Sequence, residues 1–457
     1  MRRKLTRLIP LAVIVLLAFP LLNLVVTPDN AAALPKRSDS APRWSDVAPV
    51  FAEKCVHCHT SGAKLPFYAS FPLAKGMMQR DIASGLAMLD MTSELYRKGP
   101  RPISEAAVAK TELAISHDEM PPGRYLMLHW NHRLSDADKQ NILGWVRETR
   151  RRYFTGEGVS KAHAGGMLQP LPTTVNEDPA KVALGDRLFH DKRLSEDDSL
   201  SCASCHALDK GGTDRARFST GINNQLGGIN SPTVFNAGLQ YKQFWDGRAA
   251  DLFEQADGPV NNPIEMGSSW KEVLSKLSKD PELVSAFTAV YPEGLSGERI
   301  RDAIAAFERT LVTPSRFDRF LRGENAALKP EEKRGFELFT ERGCATCHVG
   351  QVLGGQSFEK MGAFHDYFAG RKLTDGDRGR FNVTKREVDR HKFKVPMLRN
   401  VTLTAPYFHD GSVKRLDEAV AAMGRLQLED GLPAEEVKAI IAFLGSLTGE
   451  YRGKTLR

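Results

Sequence analysis

The chain is poor in cysteine, with six in 457 residues. None stands outside three five-residue motifs, so nothing remains for a separate disulfide framework. No Lys/Arg cluster is interleaved with aromatics, and without that electrostatic footprint nucleic-acid binding is not expected. Period-two alternation of apolar and polar residues is scarce, so the class reads as mainly α with long loops. Histidine is missing over one long stretch, with none between His206 and His348.

The three motifs are Cys55-Val-His-Cys58-His59, Cys202-Ala-Ser-Cys205-His206 and Cys344-Ala-Thr-Cys347-His348. A disulfide, a thioredoxin-like pair or a zinc knuckle does not require histidine directly after the second cysteine. Covalent c-type haem does: both thiols bond to the porphyrin and the histidine ligates the iron. Three haem c groups are therefore expected, matching the three domains suggested by chain length. The formal charge of +7 would be nearly offset by about six haem propionates.

Residues 1–27 read as a cytoplasmic stub and transmembrane anchor. Leu8 to Val26 carries no charge, and at 1.5 Å per residue it spans roughly 28 Å, close to a hydrocarbon core. Arg2, Arg3, Lys4 and Arg7 mark the cytoplasmic side. The rest is then exported, a periplasmic protein anchored in the inner membrane. The rival reading is a cleaved signal peptide ending near Ala31-Ala32-Ala33. Residues 28–43 read as a linker, 44–154 as an N-terminal haem c domain, and the Gly/Pro-rich 155–177 as a second linker. Residues 178–325 and 326–457 form two further haem c domains, expected to pack as one body. Each domain closes with a helix that places an isoleucine three residues before an aromatic: Ile142 and Trp145, Ile304 and Phe307, Ile440 and Phe443. A unit of first and last helices closing over a haem is cytochrome c-like.

An iron that only passes electrons is best held by two axial ligands, whereas one that reduces a small molecule needs an open or displaceable position. In the first unit Met120, beside Pro121 and Pro122, is the favoured second ligand, with Met77, Met78, Met88, Met91, Met127 and His129 as rivals. In the third, Met361, Met397 and Met423 are available. The middle unit has only Met266 in its own segment and no imidazole near in sequence. Glu265 stands there in an apolar, amide-rich loop, where a raised pKa would suit proton transfer, although a solvated loop carboxylate is the commoner role.

Several blocks taken together resemble the bacterial dihaem cytochrome c peroxidases: Thr233-Val-Phe-Asn236, Gln243-Phe-Trp-Asp-Gly-Arg248, Asn262-Pro-Ile-Glu-Met266, Leu398-Arg-Asn-Val401 and Thr404-Ala-Pro-Tyr-Phe-His-Asp-Gly411. The resemblance covers Asp178 to the C-terminus. The first unit, with Met120-Pro-Pro122, resembles the membrane-anchored trihaem variety that acts as a quinol peroxidase. The resemblance implies reduction of hydrogen peroxide to water, with the middle haem peroxidatic and the third an electron-transfer site. It implies Glu265 as acid/base, Gln255 as an orienting group, Trp245 as an electron relay and Met423 as ligand to the third iron. It also implies a calcium ion held by Asn230, Thr404 and Pro406, the last two through carbonyls. One departure stands out: where many members carry a blocking histidine, this chain has Thr220-Gly-Ile-Asn-Asn224. A resting middle haem that is five-coordinate or water-ligated is therefore expected.

Competing readings are a non-catalytic multihaem electron carrier and a dihaem enzyme maturing a tryptophan-derived cofactor, which would use tyrosine where Met423 stands. The expected electron source is quinol or a quinol-oxidising membrane partner, with a small periplasmic cytochrome c or cupredoxin as the alternative. His57 is expected to face the surface, and His409 has no assigned role.

Overall fold

The computed structural model describes residues 18, 20–26, 28–34, 43–95 and 102–457. The expected anchor, residues 8–26, lies largely outside them, and its described part is helical over 20–25. Among the described residues no helix is long and apolar enough to cross a membrane. The chain divides into two compact units, Met1–Phe154 and Thr155–Arg457, so the expected second and third domains share one body.

In the first unit the helices Trp44–Lys54 and Asp136–Tyr153 cross. Ser135 starts the second with a reciprocal capping box, its hydroxyl accepting from Asp138 N and Asp138 accepting from Ser135 N. Trp145 is fully buried at the crossing, with Phe51 edge-on at 5.6 Å. Burial of one such ring contributes about 1.5–3 kcal/mol.

The second unit makes a comparable crossing twice. Pro179–Phe189 packs on Gly297–Arg309, and Pro330–Glu341 packs on Ala434–Gly445. Each contact depends on one glycine: a Cβ on Gly185 would lie 2.0 Å from Ala303 O, and one on Gly335 would lie 1.9 Å from Ala439 O. Phe307 and Phe443, the aromatics of the sequence repeat, are buried beside those glycines.

Two motif asparagines tie the halves of this unit together. Asn236 and Asn400 both adopt left-handed backbone, with φ of 61° and 62°, which asparagine tolerates better than most residues. Their amides converge on Thr313 Oγ1 at 2.8 and 2.9 Å. Strand structure among the described residues is confined to two short antiparallel pairs, Phe358–Lys360 with Lys392–Lys394 and Glu450–Tyr451 with Lys454–Thr455.

Residues 155–177 correct the linker expectation. Leu168 and Leu171 are buried, Gly350 N donates to Met167 O, and Leu171 N donates to Asp318 Oδ1 at 2.7 Å. Asp318 in turn holds Arg399 with two bonds of 2.8 and 2.9 Å, both side chains at zero exposure. Glycine and proline serve here to fit a close-packed irregular strap rather than to keep it free.

Candidate active site

Each Cys-x-x-Cys motif forms a single helical turn: Val56–His59, Cys202–Cys205 and Cys344–Cys347. Spacing of three residues puts both thiols of a motif on one face. None of the six is in a disulfide. Burial pushes the Cys55 thiol up to about 12 and those of Cys58 and Cys344 up to about 11, so these are paired neutral thiols rather than reactive thiolates.

Two of the motif histidines are oriented as iron ligands require. His59 Nδ1 bonds Leu89 O at 2.9 Å and His348 Nδ1 bonds Leu353 O at 3.1 Å. A carbonyl accepts only, so Nδ1 carries the proton and Nε2 keeps its lone pair for a metal. His206 is half-buried against the backbone of Gly212 and Pro232, and its Nδ1 has no well-formed partner. Burial lowers the pKa of all three rings, which favours the neutral form that ligates. The residues therefore fit covalently bound haem.

Glu265 lies in the turn after the helix Asp257–Asn261, its N–H bonded to Asn262 O. Burial raises its pKa, while Asn262 Nδ2, donating to Oε1 at 2.8 Å, and the Arg248 charge partly oppose the shift. Its charge also acts on Cys205 of the middle motif. The turn is clamped by the segment that lacks the blocking histidine: Ile222 N donates to Glu265 O at 2.9 Å. A Cβ on Gly221 would sit 2.0 Å from Ile264 O. Gln255 ends the helix Leu252–Gln255 and is half-buried.

Trp245 is half-buried, and its indole N–H donates to Asn230 O at 2.8 Å. Phe244-Trp245-Asp246-Gly247 and Phe408-His409-Asp410-Gly411 are structural counterparts. Phe244 and Phe408 share positive φ, and matching bridges join Gln243 to Ala249 and Tyr407 to Val413. His409 thus occupies the third segment's equivalent of Trp245, and the two rings meet edge-on at 6.3 Å. Its imidazole is fixed by Asp377 at 2.8 Å and by Phe393, stacked at 4.1 Å.

Of the expected calcium ligands, Asn230 is tied to the loop carrying Thr404 and Pro406 through its N–H on His409 O. Asn230 Nδ2 is engaged by Ala216 O and Arg217 O. Met423 is half-buried on the helix Leu416–Gln427, and Met120 is 38% exposed. His57 corrects the sequence expectation, being only 2% exposed. Both nitrogens of His129 are engaged, by Tyr68 Oη and Tyr125 O, which leaves it without a free lone pair.

Two features escaped the sequence reading. Glu308 is buried beside Cys202, and burial raises its carboxyl to about 8. The Asp318–Arg399 pair was half-visible, since Arg399 lies in a motif block, but its partner lies 81 positions away.

With this geometry in hand the comparisons are decisive. The cytochrome c peroxidase Ccp of Escherichia coli (strain K12) is 48% identical over 400 residues, covering 87% of this chain and 86% of that protein. The chain belongs to the di-haem cytochrome c peroxidase family. The family model itself matches residues 179–326, and a haem-binding domain model matches 15–148. The cytochrome c551 peroxidase of Nitrosomonas europaea is 44% identical over 299 residues, covering 65% of this chain and 88% of that protein. A solved MauG-like protein associated with microbial copper homeostasis aligns with TM-score 0.55 at 31% identity, covering 62% of this chain and 93% of that one. This family member is a haem-binding enzyme of the cytochrome c peroxidase type, with the mainly helical fold its relatives share.

Proposed function

We propose that the protein is a membrane-anchored, periplasmic peroxidase that takes electrons from quinol through three covalent haems and reduces hydrogen peroxide to water. The half-buried Glu265, whose charge acts on Cys205 of the middle motif and whose pKa is raised, carries this reading. The haem held by Cys202, Cys205 and His206 supplies the redox centre on which peroxide is reduced. Glu265 takes the proton from one peroxide oxygen and returns it to the other as the O–O bond breaks, while Gln255 orients the peroxide. Overall, peroxide, two protons and two electrons give two waters. Trp245, in ring contact with His409, would serve as an electron relay, and His348 and Met423 would hold the third haem. His59 and Met120 would hold the first haem, and Asn230, Thr404 and Pro406 would hold a calcium ion.

Electron paramagnetic resonance of the oxidised protein, joined to stopped-flow mixing of reduced protein with peroxide, tests this. A high-spin or water-ligated middle haem and fast reoxidation are expected. Three low-spin haems would overturn the open middle haem, and slow reoxidation unaffected by Glu265→Gln would support an electron carrier instead. The MauG-like fold match favours a second reading, oxidation of a partner protein's tryptophan, which predicts tyrosine rather than Met423 on the third haem.

A further inference from the structure

The first unit buries an unusual group of hydrogen-bonding rings beside its motif: His57, His129 and His132 at 1–3% exposure and Tyr68 at 4%, with Tyr125 half-buried among them. Their proton positions follow from the bonding. Lys64 N–H donates to Asn30 Oδ1 at 2.7 Å and Lys64 O accepts from Asn30 Nδ2 at 3.2 Å, which fixes the amide orientation. Asn30 Nδ2 then faces His57 Nε2 at 3.0 Å as donor, so the neutral ring carries its proton on Nδ1. That Nδ1–H donates to Tyr125 Oη at 3.0 Å, and the Tyr125 proton is directed to His132 Nδ1 at 2.7 Å. Beside this line, Tyr125 is stacked on His129 at 3.8 Å. The result is a one-way hydrogen-bonded line from Asn30 to His132, with one lone pair of Tyr125 Oη left over.

The line lies next to an apolar surface continuous with the uncharged N-terminal run. Asn23 Nδ2 donates to Leu128 O at 2.8 Å, sewing the end of that run to a turn whose Met127 and Trp130 are 68% and 47% exposed. Leu21, Leu22, Leu24 and Val25 are also exposed. An electron-only entry site needs no buried proton line, whereas a lipophilic hydroquinone needs both an apolar approach and a proton acceptor.

We propose that this turn and Tyr125 form the hydroquinone oxidation site of the first unit, with Tyr125 and His132 as the proton exit. The proposal rests on the quinol reading above. One hydroquinone hydroxyl donates to the spare lone pair of Tyr125 as Tyr125 passes its own proton to His132. In all, two O–H bonds break and two C=O bonds form. One proton leaves by this line and the proton of the other hydroxyl leaves to solvent at the exposed edge, while two electrons leave, one at a time, for the ferric haem that Cys55 and Cys58 would hold, which is the oxidant.

The test uses the full chain in detergent. Anaerobic stopped-flow follows haem reduction by menaquinol-1, in H2O and D2O, against dithionite as an electron-only reductant. Binding of a fluorescent hydroxyquinoline N-oxide is measured separately. Tyr125→Phe, which keeps the ring stack, should slow menaquinol reduction at least about tenfold and abolish the solvent isotope effect, with dithionite reduction changed less than about twofold. Trp130→Ala, at an exposed position, should weaken analogue binding about tenfold. If menaquinol reduces the wild type but both variants match it, this site is wrong and the quinol reading stands. If menaquinol never reduces the wild type while a reduced cytochrome does, both fall.

Discussion

Replacing Glu265 by glutamine removes the proposed proton carrier with little change of shape. The amide oxygen can still accept from Asn262 Nδ2, the bond now 2.8 Å long, but the side chain can no longer take up and release a proton. A positioned general acid–base group contributes about 10²–10⁴-fold. Peroxide turnover should fall by that factor, equivalent to about 2.7–5.5 kcal/mol of transition-state stabilisation. The loss should appear in turnover rather than in apparent peroxide affinity. Stability should move the other way. Burial raises the folded pKa of Glu265 against the opposing pull of Asn262 and Arg248. The folded carboxyl therefore keeps a proton over a pH window in which the unfolded chain has already released it, and wild-type stability declines as pH rises through that window. The glutamine variant loses this slope and becomes relatively more stable above it. Stopped-flow reoxidation by peroxide and urea titrations at several pH values measure both effects. A variant within about threefold of wild type, or one whose haem absorption spectrum has also changed, would refute the reasoning.

Asp318→Ala leaves Arg399 buried without its partner and deprives Leu171 N of its acceptor. A loss of about 3–5 kcal/mol in urea unfolding is expected, together with new proteolytic cleavage between Thr155 and Glu177. Glu308→Gln acts through pH. With a folded pKa of about 8 against 4.5, wild-type stability falls as pH rises from about 4.5 to about 8, by at most about 5 kcal/mol. The variant's unfolding midpoint should lack that decline. Gly221→Ala puts a Cβ against Ile264 O and must displace the Glu265 turn. Peroxide turnover should drop at least about tenfold, for a stability cost of about 1–3 kcal/mol by denaturant titration.

Much of the site was legible because its chemistry is local. The motif cysteines and their histidine fall within one helical turn, so spacing alone announces haem attachment. The closing helices were legible for the same reason, since capping residues and the Ile-to-aromatic spacing are short-range signals. The strap at 155–177 misled because Gly and Pro mark irregular backbone without saying whether it is docked; buried Asp318 decides that from far along the chain. His57 misled because the motif constrains its neighbours and leaves its own side chain undefined. Only the fold brings Asn30, Tyr125 and His132 around it.

What the sequence by itself determined is the covalent and helical inventory: three motifs, each with two thiols and a histidine, and the helices that close around them. What only the tertiary structure decided is the environment of each group. Glu265 has a raised pKa because the fold desolvates it, in a turn bonded to the Gly221–Ile222 backbone. Trp245 meets His409 because two loops of matching shape fold against each other. Burial, charge interaction and ring contact depend on distance in space, and chain spacing sets that distance only within a turn or two of helix.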